Sequence, residues 1–385
     1  MHHLRYYFNG LFIRYLKHRE LDDLYISSFI KNLSQSFISL FIPIYLISLG
    51  FNLQKIIFFY SILLLVLLLF YPPSLKLGSI IGIKKVMAIG TLLWIPGYLL
   101  LAEMSAGFPY YIVAILFGVA NAVYWGCFHV EFTKSAETNK EAKDLSIYKI
   151  LLIITSVLGP LIGAYIIFLT SYSLLFIVAS ILAFISIIPL FLTKDIYVPK
   201  EKLNLKSIFS ADKKIKVLGY ALEGFLAFIE EVLWPLFIYI VLNDVLALGK
   251  IFSFAALIIA FLIAGIGKIA DKYPKTIFKA SVLTYAPLWI LRIFANTPFL
   301  FFIVNFVTNF LGTTVSISMN RLAYHQAETS KKIMSYFILR EIGLTLGRIV
   351  IIALILLIID IPTIFIITAF ITLLFLFVAK KAGNS

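Results

Sequence analysis

The sequence predicts an all-α membrane protein with twelve transmembrane helices in two pseudo-symmetric six-helix halves. Three observations carry this: composition, the length of the apolar runs, and the placement of positive charge. Of 385 residues, 62% are apolar and only 14% charged, and the mean hydropathy is +1.01. A soluble domain runs about 45–50% apolar and about 25% charged, so the soluble globular class is excluded, and disorder with it. Crossing roughly 30 Å of hydrocarbon takes about 20 apolar residues, and the chain holds twelve runs of that length. They must be helices, because lipid offers the backbone no hydrogen-bond partner and the alternating pattern of a membrane barrel is absent.

The elements follow in order. Residues 1–20 place Leu4, Phe8, Leu11, Phe12 and Tyr15 opposite Arg5, Arg14, Lys17 and Arg19. That is a basic amphipathic segment suited to an anionic membrane surface, without the apolar core of a secretory signal. Spans at 24–49, 53–71, 86–102, 107–129, 147–170 and 173–193 complete the first half, residues 21–193. Residues 194–216, KDIYVPKEKLNLKSIFSADKKIK, are the only long polar stretch inside the chain and form a linker. Spans at 217–242, 247–267, 276–295, 298–319, 334–358 and 361–379 make the second half, residues 217–385. Orientation follows from the basic residues. The termini, the linker and alternate loops carry 27 Lys and Arg, whereas the opposite loops carry only Lys55 and Lys250. This asymmetry places both termini and the linker in the cytoplasm of a cell-membrane protein. It also explains the net charge of +14 without nucleic acid, since the charge is spread over seven segments. A single cysteine, Cys127, permits no internal disulfide.

The halves resemble each other. Ile44-Tyr45-Leu46 ends the first span and Ile238-Tyr239-Ile240 the seventh, an offset of 194; Ala136-Glu137-Thr138 and Ala327-Glu328-Thr329 repeat at an offset of 191. Paired six-helix halves with a site between them are a recurrent transporter design. After span 8 the chain reads Gly267-Lys268-Ile269-Ala270-Asp271-Lys272-Tyr273-Pro274-Lys275. After span 2 a related run ends Gly78-Ser79-Ile80-Ile81-Gly82-Ile83-Lys84-Lys85. Here the chain resembles the major facilitator superfamily, whose loop motif has the form G-x-x-x-D-R/K-x-G/P-R/K. The second copy fits, and the first has Ser79 where the family usually has Asp. Gly159-Pro160-Leu161-Ile162-Gly163 in span 5 is similar to the G-P-x-x-G core of the family's proton-coupled exporters, with Thr155 and Ala164 replacing two outer glycines. The resemblance implies gating contacts at Gly267, Asp271, Lys272 and Lys275. In physical terms Asp271 can accept hydrogen bonds from a helix N-terminus, or sit in a solvated turn beside Pro274. Gly159 and Gly163 allow close helix packing, and Pro160 bends its span.

Ionisable groups inside a span are costly and face a cavity or a partner. Span 7 holds Glu223, Glu230 and Glu231, followed by Trp234. Seven residues of α-helix bring Glu223 and Glu230 to one face, and Glu230 sits roughly 17 Å from the cytoplasmic end at Gly219, near mid-depth. A carboxyl there can carry a proton or neutralise a cation, or form a structural ion pair with Arg340 or Arg292. Span 1 shows Ser28, Lys31, Asn32, Gln35 and Ser39 at helical steps. Lys31 is expected to pair with Glu223, with anion binding as the alternative. Span 4 carries Asn121, Tyr124 and Trp125, and span 10 carries Asn305, Asn309, Thr313 and Ser316. Span 11 sets Glu341 and Arg348 on one face and leaves Arg340 for Glu223 or Glu230. The resemblance implies that spans 1, 4, 7 and 10 line a central cavity, and all four show a polar or aromatic stripe.

The expectation is a secondary transporter moving a small organic solute by alternating access, proton-coupled through Glu230 with Glu223 or Glu231, and exporting a cationic or amphipathic compound. Its partners are then that solute, H+ and the lipid bilayer, with no nucleic acid, and it works as a monomer. Uptake of a nutrient or anion, with Lys31 and Arg340 as ligands, is the alternative on the same fold. A membrane-embedded enzyme, a lipid scramblase and a non-transporting receptor are the alternatives of another class. His129, Glu131 and His325 lack metal-ligand spacing, and neither a phosphate loop nor a nucleophile motif is found, so no metal, cofactor or enzymatic activity is expected.

Overall fold

Twelve helices among the described residues are long and apolar enough to cross a membrane, from Asp22–Ser48 to Ile361–Val378. The computed structural model describes residues 19–104, 107–135, 141–195, 197, 214–272, 274–329, 333–358 and 360–382. Most of the basic N-terminal segment and of the linker, and the side chains of Gly267, Asp271, Lys272 and Lys275, lie outside the described residues. In chain order, the spans after the first are Leu53–Ile81, Ile83–Ala102, Tyr110–Lys134, Ile150–Leu169 and Tyr172–Phe191. The second six are Lys214–Leu242, Val245–Leu262, Thr276–Phe294, Pro298–Val315, Ile333–Ile358 and Ile361–Val378.

Short polar caps start several spans, because the first turn of a helix has unpaired N–H groups. The Asn52 side chain accepts from the Lys55 N–H at 2.9 Å, and Ser171 accepts from that of Leu174 at 3.2 Å. Asp244 accepts from Leu246 and Ala247 at 2.8 and 3.0 Å, and Asp360 from Thr363 at 2.8 Å. Span 3 is capped from a distance. Gly82, at φ +108°, turns the chain with no Cβ, and the Asp195 carboxylate fills that space. Asp195 accepts from the Lys84 and Lys85 N–H groups at 2.8 and 3.2 Å. Lys84 Nζ then reaches Thr193 Oγ1 at 2.6 Å and Glu131 at 3.6 Å, tying spans 3, 4 and 6 together at the end of the bundle that bears the termini.

Spans 1 and 7 are both interrupted at equivalent places. Span 1 breaks at residues 39–41 and restarts as Ile42–Ser48, with Pro43 in its first turn. Span 7 widens into a π-helical turn at Ile229–Leu233 and continues as Trp234–Leu242, with Pro235 in its first turn. A proline cannot donate to the preceding turn, so each interruption sits where the regular ladder would fail. The two outer segments pack on each other.

Small residues bring backbones together, the packing available to helices in lipid. A Cβ on Gly159 would collide with Ser36, and one on Gly163 with the Phe37 carbonyl, so span 5 lies flat on span 1. Gly224, Gly343 and Gly347 do the same between spans 7 and 11, against Leu344, Tyr220 and Ala221. Between the halves, Gly249 of span 8 sits on Pro160 and Ala164 of span 5.

Candidate functional site

The two halves enclose a cavity of about 1020 Å³. Of the sequence-predicted residues, Asn32, Gln35, Asn121, Trp125, Glu223, Glu230, Glu231, Asn309, Thr313 and Arg340 line it, as do Glu341, Arg348 and Pro160. Lys31, Tyr124, Trp234 and Asn305 do not. They form a second layer behind the wall, each almost fully buried.

Among the described residues, three of the four carboxylates in the cavity wall are neutralised by a guanidinium. Glu230 Oε1 lies 2.5 Å from Arg292 Nη2 and accepts from the Tyr285 hydroxyl at 2.8 Å. The same Arg292 nitrogen donates to Thr308 Oγ1 at 2.8 Å, and its guanidinium lies 3.9 Å from the Trp289 ring centre and 4.4 Å from that of Trp234. Arg292 is wholly buried, so this is a cation held by one carboxylate, one hydroxyl and two aromatic faces. The Trp234 indole in turn donates to Asn305 Oδ1 at 2.9 Å, and Asn309 donates to the same oxygen at 2.7 Å. Glu223 lies 3.7 Å from Arg340, and Glu341 lies 3.3 Å from Arg348.

Glu231 is the exception: it is open to the cavity and makes no ion pair or hydrogen bond among the described residues. The π-helical turn explains how adjacent glutamates reach one cavity. Its extra residue lowers the angle between successive side chains, so Glu230 can reach back to span 9 while Glu231 stays in the opening.

The expected Lys31–Glu223 pair does not form. Glu223 pairs with Arg340 of span 11, because spans 7 and 11 lie against each other through their glycines. Lys31 instead points into aromatic rings of its own half, 4.4 Å from the Trp94 ring centre, 4.0 Å from Tyr124 and 3.8 Å from Trp125. Towards the terminal end, His129 stacks between Trp125 at 5.9 Å and Phe337 of span 11 at 5.1 Å, a contact between the halves. Beside it, Tyr220 and Tyr336 share a hydroxyl–hydroxyl hydrogen bond.

Sequence reading missed Tyr60, Trp94, Tyr98 and Tyr285 in the wall. A signal existed for two groups of them. Tyr285, Trp289 and Arg292 recur at i, i+4 and i+7 on span 9, and Trp94 and Tyr98 at i, i+4 on span 3, each a single helix face.

Comparison with known proteins agrees with this architecture. No curated protein matches the chain at the level of sequence. Among solved structures, the human organic anion transporter MFSD10 superposes with a TM-score of 0.70 at 14% identity, covering 94% of this chain and 99% of its own. The nucleoside transporter NupG superposes with a TM-score of 0.69 at 16% identity, covering 95% and 99%. At such identities these likenesses concern the fold. The family profile of the Major Facilitator Superfamily matches residues 24–242. With a profile over more than half its length, twelve spans and a cavity between two halves, the chain belongs to the Major Facilitator Superfamily of membrane transporters.

Proposed function

We propose that the protein is a secondary transporter that moves a small cationic or amphipathic organic solute in exchange for protons, by rocking its two halves about the central cavity. The single observation that carries this reading is Glu231, a carboxylate with no ion pair among the described residues, in a cavity whose other described carboxylates are neutralised by arginine. Proton coupling is therefore assigned to Glu231 in preference to Glu230, which is committed to Arg292 and Tyr285. At such a position a proton and an organic cation compete for one negative charge, which is the minimal chemistry of antiport. The aromatic rings of Tyr60, Tyr98 and Trp125 and the amides of Asn32, Gln35 and Asn121 supply a wall suited to an amphipathic molecule.

The alternative of anion uptake through Lys31 and Arg340 has less support, because Arg340 is paired with Glu223. The 27-to-2 asymmetry of Lys and Arg supports cytoplasmic termini in a cell membrane. The protein acts as a monomer in this reading, since the cavity is complete within one chain. The test is pH-gradient-driven movement of a lipophilic cation in proteoliposomes. Glu231→Gln is expected to abolish coupling, and coupled transport by that variant at the wild-type rate overturns the assignment.

A further inference from the structure

Each half holds one buried cation boxed by aromatic rings, and the two boxes differ in one respect. In the second half Arg292, between Trp234 and Trp289, has the carboxylate of Glu230. In the first half Lys31 sits among Trp94, Tyr124 and Trp125 at 3.8–4.4 Å from their ring centres, 1% exposed. Its Nζ has neither a hydrogen bond nor a carboxylate partner among the described residues. An ammonium ion stripped of water and given only aromatic faces is held weakly compared with one that is ion-paired. Three faces around one point are, however, the arrangement that selects organic ammonium groups over strongly hydrated cations. Two of those rings, Trp94 and Trp125, also line the transport cavity, and Trp125 is only half-buried.

We propose that Trp94, Tyr124 and Trp125 form an ammonium-binding subsite of the cavity, occupied at rest by the tethered ammonium of Lys31, which an organic cation displaces. This rests on the reading that the solute is a cation. Lys31 has a flexible four-carbon stem, so its head group can leave the rings for cavity water without movement of span 1. The displaced charge remains in a cavity that also contains Glu223 and Glu231. Lys31 thereby sets the affinity of the subsite, because a solute must outcompete a ligand that is already present.

The test uses the purified full-length protein at pH 7.5, with tetraethylammonium as the cation, benzenesulfonate as the anionic control and tryptophan fluorescence as the readout. Lys31→Met takes the resident positive charge out of the cage, leaving a neutral chain that holds the rings only weakly. It is expected to tighten tetraethylammonium binding about tenfold, the worth of one strong cation–π contact. Lys31→Arg keeps a permanent cation there and is expected to weaken binding. Adding Trp125→Ala to Lys31→Met should remove the gain. If Lys31→Met does not fold, Lys31→Gln takes its place, and the opposite direction of Lys31→Arg remains the criterion. Cation binding unaffected by either Lys31 variant overturns the subsite while leaving the cationic reading intact. Benzenesulfonate binding that both variants alter and tetraethylammonium binding that neither alters assigns Lys31 to an anion. Absence of cation binding in every variant overturns both the subsite and the cationic reading.

Discussion

Removing the Glu230 charge should destabilise the protein far more than removing the charge of its neighbour Glu231. Glu230→Gln leaves Arg292, wholly buried, without its carboxylate. Breaking one side of a buried ion pair costs about 3–5 kcal/mol, because the remaining charge is desolvated and unpaired. Part of that is recovered here. Thr308 still accepts from Arg292 at 2.8 Å, and the Trp234 and Trp289 faces still hold the guanidinium, each worth about 0.5–2 kcal/mol. The net expectation is a loss of about 2–4 kcal/mol. Glu231→Gln removes no ion pair or hydrogen bond among the described residues and should stay within about 0.5 kcal/mol of the wild type. The assay is unfolding in mixed detergent–SDS micelles, with Arg292→Met and the double variant completing a thermodynamic cycle. The double variant should be more stable than the sum of the singles implies, by at least about 1 kcal/mol. If Glu230→Gln unfolds with the wild type, or the cycle is additive, Glu230 is not bound to Arg292 in the membrane. The division of labour between the two glutamates then fails.

Other contacts yield direct tests. Gly347→Ala places a methyl group against the Ala221 backbone and should destabilise the span 7–span 11 contact by about 1–3 kcal/mol, read by the same unfolding assay. Asp195→Ala removes the cap of span 3 and should cost about 0.5–2 kcal/mol, with faster hydrogen exchange at the Lys84 and Lys85 amides. At Asp360, hydrogen bonds from the Thr363 side chain and backbone hold the carboxyl below the ordinary aspartate value. Its contribution is thus complete above the unfolded aspartate pKa and is lost as pH falls through the lower folded value. Asp360→Asn should change the acid side of the stability–pH profile and leave the neutral region's slope untouched.

The twelve spans were legible because a membrane imposes its own length and polarity rules on sequence. The ion pairs were harder. Glu341 and Arg348 share one helix face, so spacing alone brings them together, and the structure has them 3.3 Å apart. Lys31 and Glu223 lie on different spans, and their partners depend on which helices touch. The glycines of spans 7 and 11 decided that for Glu223, and the aromatic faces of spans 3 and 4 decided it for Lys31. The polar stripes on spans 1, 4, 7 and 10 likewise marked faces that turn inward, but not which side chains stop at the wall. Trp234 and Asn305 are spent on each other behind it. The π-helical turn at Ile229–Leu233 was invisible to a uniform 100° per residue, and it is what separates the environments of Glu230 and Glu231.

The most direct test of the account is proton release on solute binding, measured by calorimetry of the purified protein in buffers of different ionisation enthalpy. In the proposed antiport an organic cation and a proton compete for Glu231, so binding of one displaces the other. The wild type is therefore expected to release protons on binding, whereas Glu231→Gln binds without release. Undiminished proton release from Glu231→Gln, together with its loss in a folded Glu230→Gln variant, would contradict the account and return the coupling role to Glu230.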